Sequence, residues 1–179
     1  MNLSLQRCAI RGWRSEDAAS LVLHANNRKI WRNLRDRFPH PYTREDAEGW
    51  ISFASQAVPE TNFALVVDGV AVGSIGLELQ ADVFRRTAEV GYWLGEPYWG
   101  RGIATEAVVA FSAWAFEHFD LVRLHASVFA WSEASARVLV KAGYALEGRL
   151  RMGIWKDGQL TDQCLYGLLR PSIPTGSEP

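Results

Sequence analysis

The sequence contains little that would staple a small fold or anchor it in a membrane. Its 179 residues include two cysteines, Cys8 and Cys164, which lack the close spacing of a disulfide framework or a zinc site. No run of about 18 apolar residues occurs. Gln6, Arg7 and Arg11 interrupt the N-terminal segment where a signal peptide has its apolar core. We therefore expect a cytoplasmic protein with reduced thiols that neither spans nor binds a membrane.

The sequence also lacks an excess of charge of either sign. Its net charge is -1, and its composition, 48% hydrophobic and 22% charged, is that of an ordinary globular protein. No global basicity would recruit nucleic acid, so an anionic ligand must be held locally. A chain of this length buries roughly 70% of the surface that it would expose unfolded. We predict one domain at 1–170 and a disordered tail at 171–179.

Three familiar motifs of enzymes and nucleotide-binding proteins are absent. There is no G-K-[ST], no G-x-S-x-G elbow and no G-x-G-x-x-G, because Thr105 stands three residues after Gly102. The chain has instead a strand-like run at 88–95 that leads through Gly100-Arg101-Gly102 into a helix-like run. In the first turn of a helix the amide N–H groups lack carbonyl partners and carry the positive end of the helix dipole. This layout predicts a loop that holds a phosphate-bearing ligand through its backbone.

The spacing of apolar residues predicts a mixture of strands and helices. Asp68-Gly69 indicates a tight hairpin, and Thr43 with Asp46 indicates a helix start. Strands are predicted at 3–13, 62–67, 70–79, 88–95, 121–130, 144–151 and 163–169, and helices from Ser15, near Ile30, from Thr43, from Ile103 and from Ser132. We therefore predict an α+β domain with a central, mostly antiparallel mixed sheet of about seven strands, flanked by helices.

Two stretches carry a resemblance to a known family. GYWLGEPYWGRGIATEA at 91–107 and SEASARVLVKAGYALEGRLR at 132–151 resemble the GNAT superfamily of acetyl-CoA-dependent N-acetyltransferases, in the RimJ/RimL-like branch of ribosomal-protein alanine acetyltransferases. FPHPYTREDAEGWI at 38–51 resembles the substrate-side loop and helix of that branch. The resemblance extends to about residue 170. It implies the acyl-CoA N-acyltransferase fold and acetyl-CoA as co-substrate.

The resemblance also implies which residues bind the cofactor. In this family the pyrophosphate of CoA lies on the amides of the glycine loop, and the pantetheine arm runs along the strand before it. The matching cofactor-binding positions are Tyr92, Trp93, Leu94, Trp99, Gly100, Arg101, Gly102, Ile103, Ala104, Thr105, Ser132 and Ser135. Two positions depart from the pattern, because Pro97 stands where the family commonly has Gln or Arg, and Ser132 where it favours Asn.

The reaction needs a proton acceptor for the amine and a proton donor for the thiolate. Glu89, on the strand that enters the site, is the first candidate for the general base. The alternative for Glu89 is a structural charge that is solvated or paired with an arginine such as Arg149. Glu78 and Tyr42 are weaker candidates. The resemblance places the Ser135 hydroxyl near the CoA sulfur as a catalytic proton donor, while a helix-capping role stays open.

The acceptor pocket is expected opposite the glycine loop. The loop at 36–42 and the helix from Thr43 match the substrate side of the family. The aromatic residues Trp31, Phe38 and Tyr42 are the predicted walls of a substrate-binding pocket, although Trp31 fits a packed core equally well.

The charges of the acceptor segment bear on the acceptor itself. Arg32, Arg35 and Arg37 outnumber Asp36 there, which favours an acceptor that bears a carboxylate or backbone carbonyls. A protein N-terminus, an amino acid or peptide, a polyamine and an amine antibiotic all stay open.

We predict an enzyme, an N-acetyltransferase that moves acetyl from acetyl-CoA to a primary amine by direct attack in a ternary complex. The alternative is a catalytically inactive CoA-binding sensor or scaffold, which the departures at Pro97 and Ser132 would permit. The four histidines share no spacing typical of a metal site, so no metal is expected. We expect a monomer or a homodimer that binds a small-molecule or peptide amine, with no nucleic-acid partner.

Overall fold

The computed structural model describes residues 1–171, which form eight strands and five α-helices. The strands are β1 (Asn2–Ser4), β2 (Ala9–Arg11), β3 (Asn62–Val67), β4 (Val70–Leu79), β5 (Thr87–Leu94), β6 (Arg123–Phe129), β7 (Ala145–Lys156) and β8 (Gln159–Leu169). The α-helices are α1 (Ala18–Ala25), α2 (Arg28–Trp31), α3 (Arg44–Gln56), α4 (Ile103–His118) and α5 (Glu133–Lys141). Within residues 1–171, no helix is both long and apolar enough to cross a lipid bilayer.

The strands form one sheet in the order β1-β2-β3-β4-β5-β6-β8-β7. Neighbouring strands are antiparallel except β5 and β6, which run parallel. The predicted α+β class with a mostly antiparallel mixed sheet and flanking helices is confirmed. Apart from Pro171, the tail predicted at 171–179 lies outside the described residues.

The sheet has eight strands rather than about seven, because the strand predicted at 3–13 is wrong in its extent. The chain reverses at Gln6 and Arg7, so β1 and β2 pair as an antiparallel hairpin. The amide N–H groups of Gln6 and Arg7 donate to the carboxylate of Glu106 on α4, at 3.1 and 2.8 Å. A contact with so distant a residue leaves no mark on the local pattern of 3–13.

Helices cover both faces of the sheet and bury an apolar core on each. On one face, Phe111 of α4 and Leu124 of β6 are completely buried. On the other face, Leu21 of α1 and Ala47 of α3 pack on Ala64 of β3. Burial of apolar side chains on both faces is the main favourable contribution to folding.

Two local turn predictions are confirmed by backbone geometry. Asp68 and Gly69 have φ angles of 49° and 81°, the left-handed values that a two-residue hairpin turn requires. At the start of α3, the Thr43 N–H donates to the Asp46 carboxylate at 2.8 Å, and the Asp46 N–H donates to Thr43 Oγ1 at 3.2 Å. Local pairs of this kind act over a few residues and are therefore readable in the sequence.

The C-terminal hairpin is longer than predicted. The strands expected at 144–151 and 163–169 continue to a tight turn at Asp157 and Gly158. An irregularity in the pairing follows Arg149-Leu150, and Met152 there has a φ of 53°. This bulge breaks the two-residue alternation on which the prediction depended. The extension brings the tip of the hairpin to α2, beside the acceptor segment.

Candidate active site

The sheet splits between β5 and β6. Thr87–Glu89 of β5 pair with Arg123–His125 of β6, but beyond Glu89 β5 pairs with β4 alone as far as Leu94. Within residues 1–171, the β6-facing edge of 90–94 therefore has no strand partner. The split opens a cleft of about 1840 Å³ that residues of both strands line. An unpaired strand edge can hydrogen-bond an extended ligand that carries amides.

The side chain of Tyr92 links β5 to α5 beside this split. Its hydroxyl lies 2.8 Å from Ser135 Oγ and donates to the Ser135 carbonyl at 3.1 Å. Burial raises the pKa of Tyr92 above its ordinary value, although the hydrogen bond with Ser135 opposes the shift. The phenol is therefore neutral near pH 7 and joins Ser135 in a hydroxyl pair. Sequence reasoning assigned only the backbone of Tyr92, because no local pattern connects it to Ser135.

The glycine loop has the conformation that an anion-binding turn needs. Gly100 and Gly102 have φ angles of 74° and 77°, which side-chain-bearing residues adopt only at a cost. The amide N–H groups of residues 100–105 donate to no backbone carbonyl of the described chain. Together with the positive end of the α4 dipole, these free donors can hold a phosphate. The Arg7 side chain lies next to Gly102, and its guanidinium pairs with the Glu106 carboxylate of α4 at 3.6 Å.

Most of the predicted cofactor-binding residues line the same cleft. They are Tyr92, Trp93, Leu94, Trp99, Gly100, Gly102, Ile103, Ala104, Thr105, Ser132 and Ser135. Arg101 does not belong to this lining, and its guanidinium lies over the Tyr98 ring at 5.5 Å. Trp99 donates from Nε1 to the Leu94 carbonyl at 2.6 Å, which fixes the loop to the end of β5. The structure thus brings strand, loop and serine helix to one cavity.

The two serines of α5 lie at the start of the helix but differ in their contacts. Ser132 is the N-cap residue, and its hydroxyl makes no capping hydrogen bond among the described residues. Ser135 has its hydroxyl on Tyr92. Among the described residues, no hydrogen bond of the Ser135 hydroxyl caps α5, so the capping role that stayed open is not supported. Ser135 does line the cleft, which agrees with a contact to the ligand.

Glu89 lies in the cleft wall and is largely buried, with 17% of its side chain exposed. Its carboxylate accepts a hydrogen bond from Arg35. Arg149, the arginine that we gave as an example of a partner for Glu89, is not that partner. It donates to Asp162 at 2.6 Å instead. Arg35 precedes the acceptor loop and is far from β5 in the chain, so the pair was invisible in the sequence.

The groups around Glu89 are poorer candidates for a base. Arg37 donates to Glu78 at 2.7 Å, and this hydrogen bond holds the pKa of Glu78 below its ordinary value. Burial raises the pKa of Tyr42 to about 12, so it stays neutral. His125 pairs with Glu89 in the strand register, and burial lowers its pKa although the Glu89 charge opposes the shift. A neutral imidazole beside Glu89 leaves the carboxylate as the charged group facing the cleft from β5.

The predicted acceptor walls separate into two groups. The Phe38 ring lies 4.9 Å from the Tyr42 ring and 5.8 Å from the Trp93 ring, and all three line the cleft. Trp31 does not line it. The Trp31 ring stacks on His40 at 5.6 Å, with Lys156 Nζ 3.8 Å above its centre.

The hairpin tip holds the acceptor segment in place. Lys156 is 2% exposed and donates to Asp36 Oδ1 at 2.6 Å. Arg28 of α2 donates to both carboxylate oxygens of the adjacent Asp157, at 2.8 and 2.9 Å. These contacts join the tip of the β7–β8 hairpin to residues that lie 120 and 129 positions earlier in the chain. We call these two ion pairs, Lys156–Asp36 and Arg28–Asp157, the tether, because they hold the acceptor segment with its two prolines against the hairpin tip.

Groups that would indicate other chemistry do not reach this cleft. Cys8 and Cys164 are free thiols, and neither lines the cavity. Burial raises the pKa of Cys8 to about 11, which makes it a poor nucleophile. Residues 1–171 contain no group of three His, Cys, Asp or Glu side chains that could hold a metal ion.

A split sheet that leads to a glycine loop is the architecture of the acyl-CoA N-acyltransferase class. The sequence profile of the acetyltransferase (GNAT) domain matches residues 7–145, which is well over half of the chain. The chain therefore belongs to the GNAT family of acetyl-CoA-dependent N-acetyltransferases, and the resemblance found in the sequence is confirmed.

Known proteins similar to this chain include N-acetyltransferases of bacteria. YoaA, an uncharacterized N-acetyltransferase of Bacillus subtilis strain 168, is 35% identical over 100 residues, which are 56% of this chain and 56% of YoaA. The match thus spans little more than half of that relative. The ribosomal-protein-serine acetyltransferase of Escherichia coli K12 is 25% identical over 124 residues, 69% of this chain and 68% of that protein.

A solved structure extends the likeness across nearly the whole chain. Mycobacterium smegmatis RimJ in complex with a CoA-disulfide has a TM-score of 0.80 and 24% identity, and the match covers 93% of this chain and 84% of that one. This likeness shows the fold.

Proposed function

We propose that the protein transfers the acetyl group of acetyl-CoA to a primary amine, by direct attack of the amine on the thioester within a ternary complex. The observation that carries the proposal is the continuity between the split sheet and the glycine loop. One cleft offers an unpaired strand edge, free helix-start amides and, on the opposite side, a wall of aromatic and acidic side chains.

The cofactor side of the cleft acts mainly through its backbone. The free amides of residues 100–105 and the dipole of α4 bind the pyrophosphate. The edge of β5 at Tyr92, Trp93 and Leu94 binds the amides of the pantetheine arm as a neighbouring strand would. One of these N–H groups polarises the thioester carbonyl. Because the contacts are with main-chain atoms, Pro97 and Ser132 weaken the match to the family pattern without removing the site.

Side chains on both sides of the cleft transfer protons during the proposed reaction. Glu89 takes one proton from the acceptor ammonium, directly or through water, which frees the nitrogen lone pair. The nitrogen then forms a bond to the carbonyl carbon, and the bond from that carbon to sulfur breaks. The Tyr92–Ser135 hydroxyl pair hydrogen-bonds the departing thiolate and donates a proton to it. The second proton, which the nitrogen loses as the amide forms, passes through water to the hydroxyl pair and restores it. Glu89 returns its proton to solvent, so charge and atoms balance over one turnover.

Arg35 connects the resting site to the acceptor. It holds Glu89 and also donates to Glu78 at 3.2 Å. An arriving ammonium competes with the Arg35 guanidinium for the Glu89 carboxylate, because both are cations seeking the same acceptor oxygens. The ion pair keeps the largely buried carboxylate compensated until the acceptor is present.

The test follows free thiol while the protein is incubated with acetyl-CoA and a panel of primary amines, with CoA binding measured by calorimetry in the same preparation. We expect thiol release that depends on the amine, together with a mass gain of one acetyl group on that amine. CoA binding without thiol release for any amine would contradict catalysis and support the inactive sensor or scaffold.

A further inference from the structure

The acceptor side of the cleft has more aromatic surface than a simple amine requires. Phe38 contacts both Tyr42 and Trp93, and the Trp50 and Phe53 rings of α3, which lie 5.7 Å apart, line the same cleft. Phe53 is 62% exposed. Aromatic rings that face a cavity gain most from stacking or edge contacts with another flat apolar group.

Space for such a group is provided by two glycines that face the same cavity. Gly49 on α3 and Gly91 on β5 both line the cleft, and a Cβ added at either would meet nothing within 4 Å. Neither has a positive φ, so their backbones do not require glycine. In the interior of a helix, glycine is about 1 kcal/mol less favourable than alanine. The missing side chains therefore act by leaving room in the cleft.

The charges of this wall favour a cation on the same ligand. Glu45 and Asp46 line the cleft without an ion-pair partner among residues 1–171, while Arg35 and Arg37 are paired with Glu78 and Glu89. Two of the three arginines that favoured a carboxylate-bearing acceptor are thus compensated by carboxylates, and the third, Arg32, lies over the Trp131 ring at 5.0 Å and is not among the residues that line the cleft. An ammonium next to aromatic faces and carboxylates gains from both kinds of contact.

We propose that the acceptor is a primary amine carried on an aromatic group, which lies against Phe38, Tyr42 and Trp93 while Gly49 leaves room for it. The inference rests on the proposed acetyl transfer and names the acceptor class of that site. Two sources share this chemistry, a free arylalkylamine and a peptide whose first residue is aromatic.

Steady-state kinetics with matched acceptors test the proposal. The pairs are phenethylamine with butylamine, and a tripeptide that begins with phenylalanine with one that begins with glycine. We expect kcat/KM to be about tenfold higher for the aromatic member of at least one pair, as one or two good ring contacts would give. The pair that shows the preference identifies the source. Equal kcat/KM values within both pairs would overturn the inference and leave acetyl transfer standing.

The variant Gly49→Leu is an independent test of the inference, because leucine fills the open space at this position and favours the helix. It should lower kcat/KM for the preferred aromatic acceptor about tenfold, while ethylamine turnover and the Kd of CoA change less than about twofold. Ser52→Leu adds the same side chain to α3 outside the cleft lining and should change none of these values. An equal loss for all amines in Gly49→Leu would contradict the aromatic site. If no amine released thiol from the unmodified protein, acetyl transfer and this inference would fall together.

Discussion

In the proposed site, most of the cofactor half of the cleft comes from one continuous stretch, to which only Ser132 and Ser135 are added, whereas the acceptor half is assembled from distant stretches. β5, the glycine loop and α4 follow one another along residues 87–118 and offer backbone groups to the ligand. In the acceptor half, ion pairs join residues 35–37, which precede α3, to β4, β5 and the β7–β8 tip. Backbone recognition depends on local conformation, while side-chain recognition depends on which segments meet. Substitutions in the two halves should therefore have different signatures.

The largest effect is expected at Glu89, where the two halves meet. Glu89→Gln should lower kcat by about 10² to 10⁴, the usual contribution of a general base, with little change in the Kd of CoA. The loss should be greatest at low pH, because more of the amine is already deprotonated at high pH. A pH series of initial rates for amine-dependent thiol release measures this.

Two further variants separate a base from a structural charge at Glu89. Glu78→Gln removes a neighbouring carboxylate with a lowered pKa and should cost less than about tenfold. If Arg35→Gln matched Glu89→Gln in the size and pH dependence of its loss, Glu89 would act by holding Arg35 rather than by taking a proton.

The cofactor half can be tested with two glycines in nearly the same conformation. Gly100 and Gly158 have φ angles of 74° and 73°, and a Cβ at either meets nothing within 4 Å. Alanine at either position should lower the free energy of unfolding by about 1 to 2 kcal/mol. Only Gly100→Ala should raise the Kd of CoA, by about tenfold, because its methyl group would stand where the proposed site holds the pyrophosphate.

Calorimetric titration of CoA into both glycine variants measures this difference in Kd. Thermal unfolding of the same variants checks that their losses of stability are similar. A similar rise in Kd for Gly158→Ala would show that general strain, and not the loop itself, controls cofactor binding.

Breaking the tether of the acceptor half should have a smaller effect, confined to binding of the acceptor. Lys156→Met keeps the buried stem against Trp31 but releases Asp36, which is 78% exposed and stays hydrated. Stability should therefore change little. The KM of the acceptor should rise about fivefold, equivalent to about 1 kcal/mol, with kcat and the Kd of CoA nearly constant. Asp36→Asn breaks the same contact from the other side and should not add to Lys156→Met. Additive effects would contradict a shared tether.

The smallest effect concerns the acid stability of the acceptor half. Because Arg37 lowers the pKa of Glu78 below its ordinary 4.5, the pair stabilises the folded state above that value and loses its contribution as the pH falls through the lowered pKa. Glu78→Gln should lower Tm by a few degrees or less at pH 7. The difference should vanish in acid, as thermal unfolding at several pH values would reveal. A difference that grew in acid would contradict the assigned sign.

The same contrast explains how much the sequence could predict. The fold class, the Asp68-Gly69 turn and the strand–loop–helix arrangement around Gly100 and Gly102 depend on neighbouring residues, and each was predicted correctly. The partner of Glu89 was not, because Arg35 reaches it across the sheet from another segment. The reversal at Gln6 was missed for the same reason, since Glu106 holds it from α4. Pairs formed by folding, such as Lys156 with Asp36, leave no periodic pattern in the chain.

Hydrogen–deuterium exchange with and without CoA tests the division of the cleft most directly. The account predicts that CoA alone slows exchange of the amides at 100–105, which donate to no backbone carbonyl among residues 1–171, and of those amides at 92–94 that point away from β4 into the split. Amides in 36–42 should respond only when an acceptor amine is added. Unchanged exchange at 100–105 with CoA bound, or protection confined to 36–42, would contradict the backbone-held cofactor at the centre of this account.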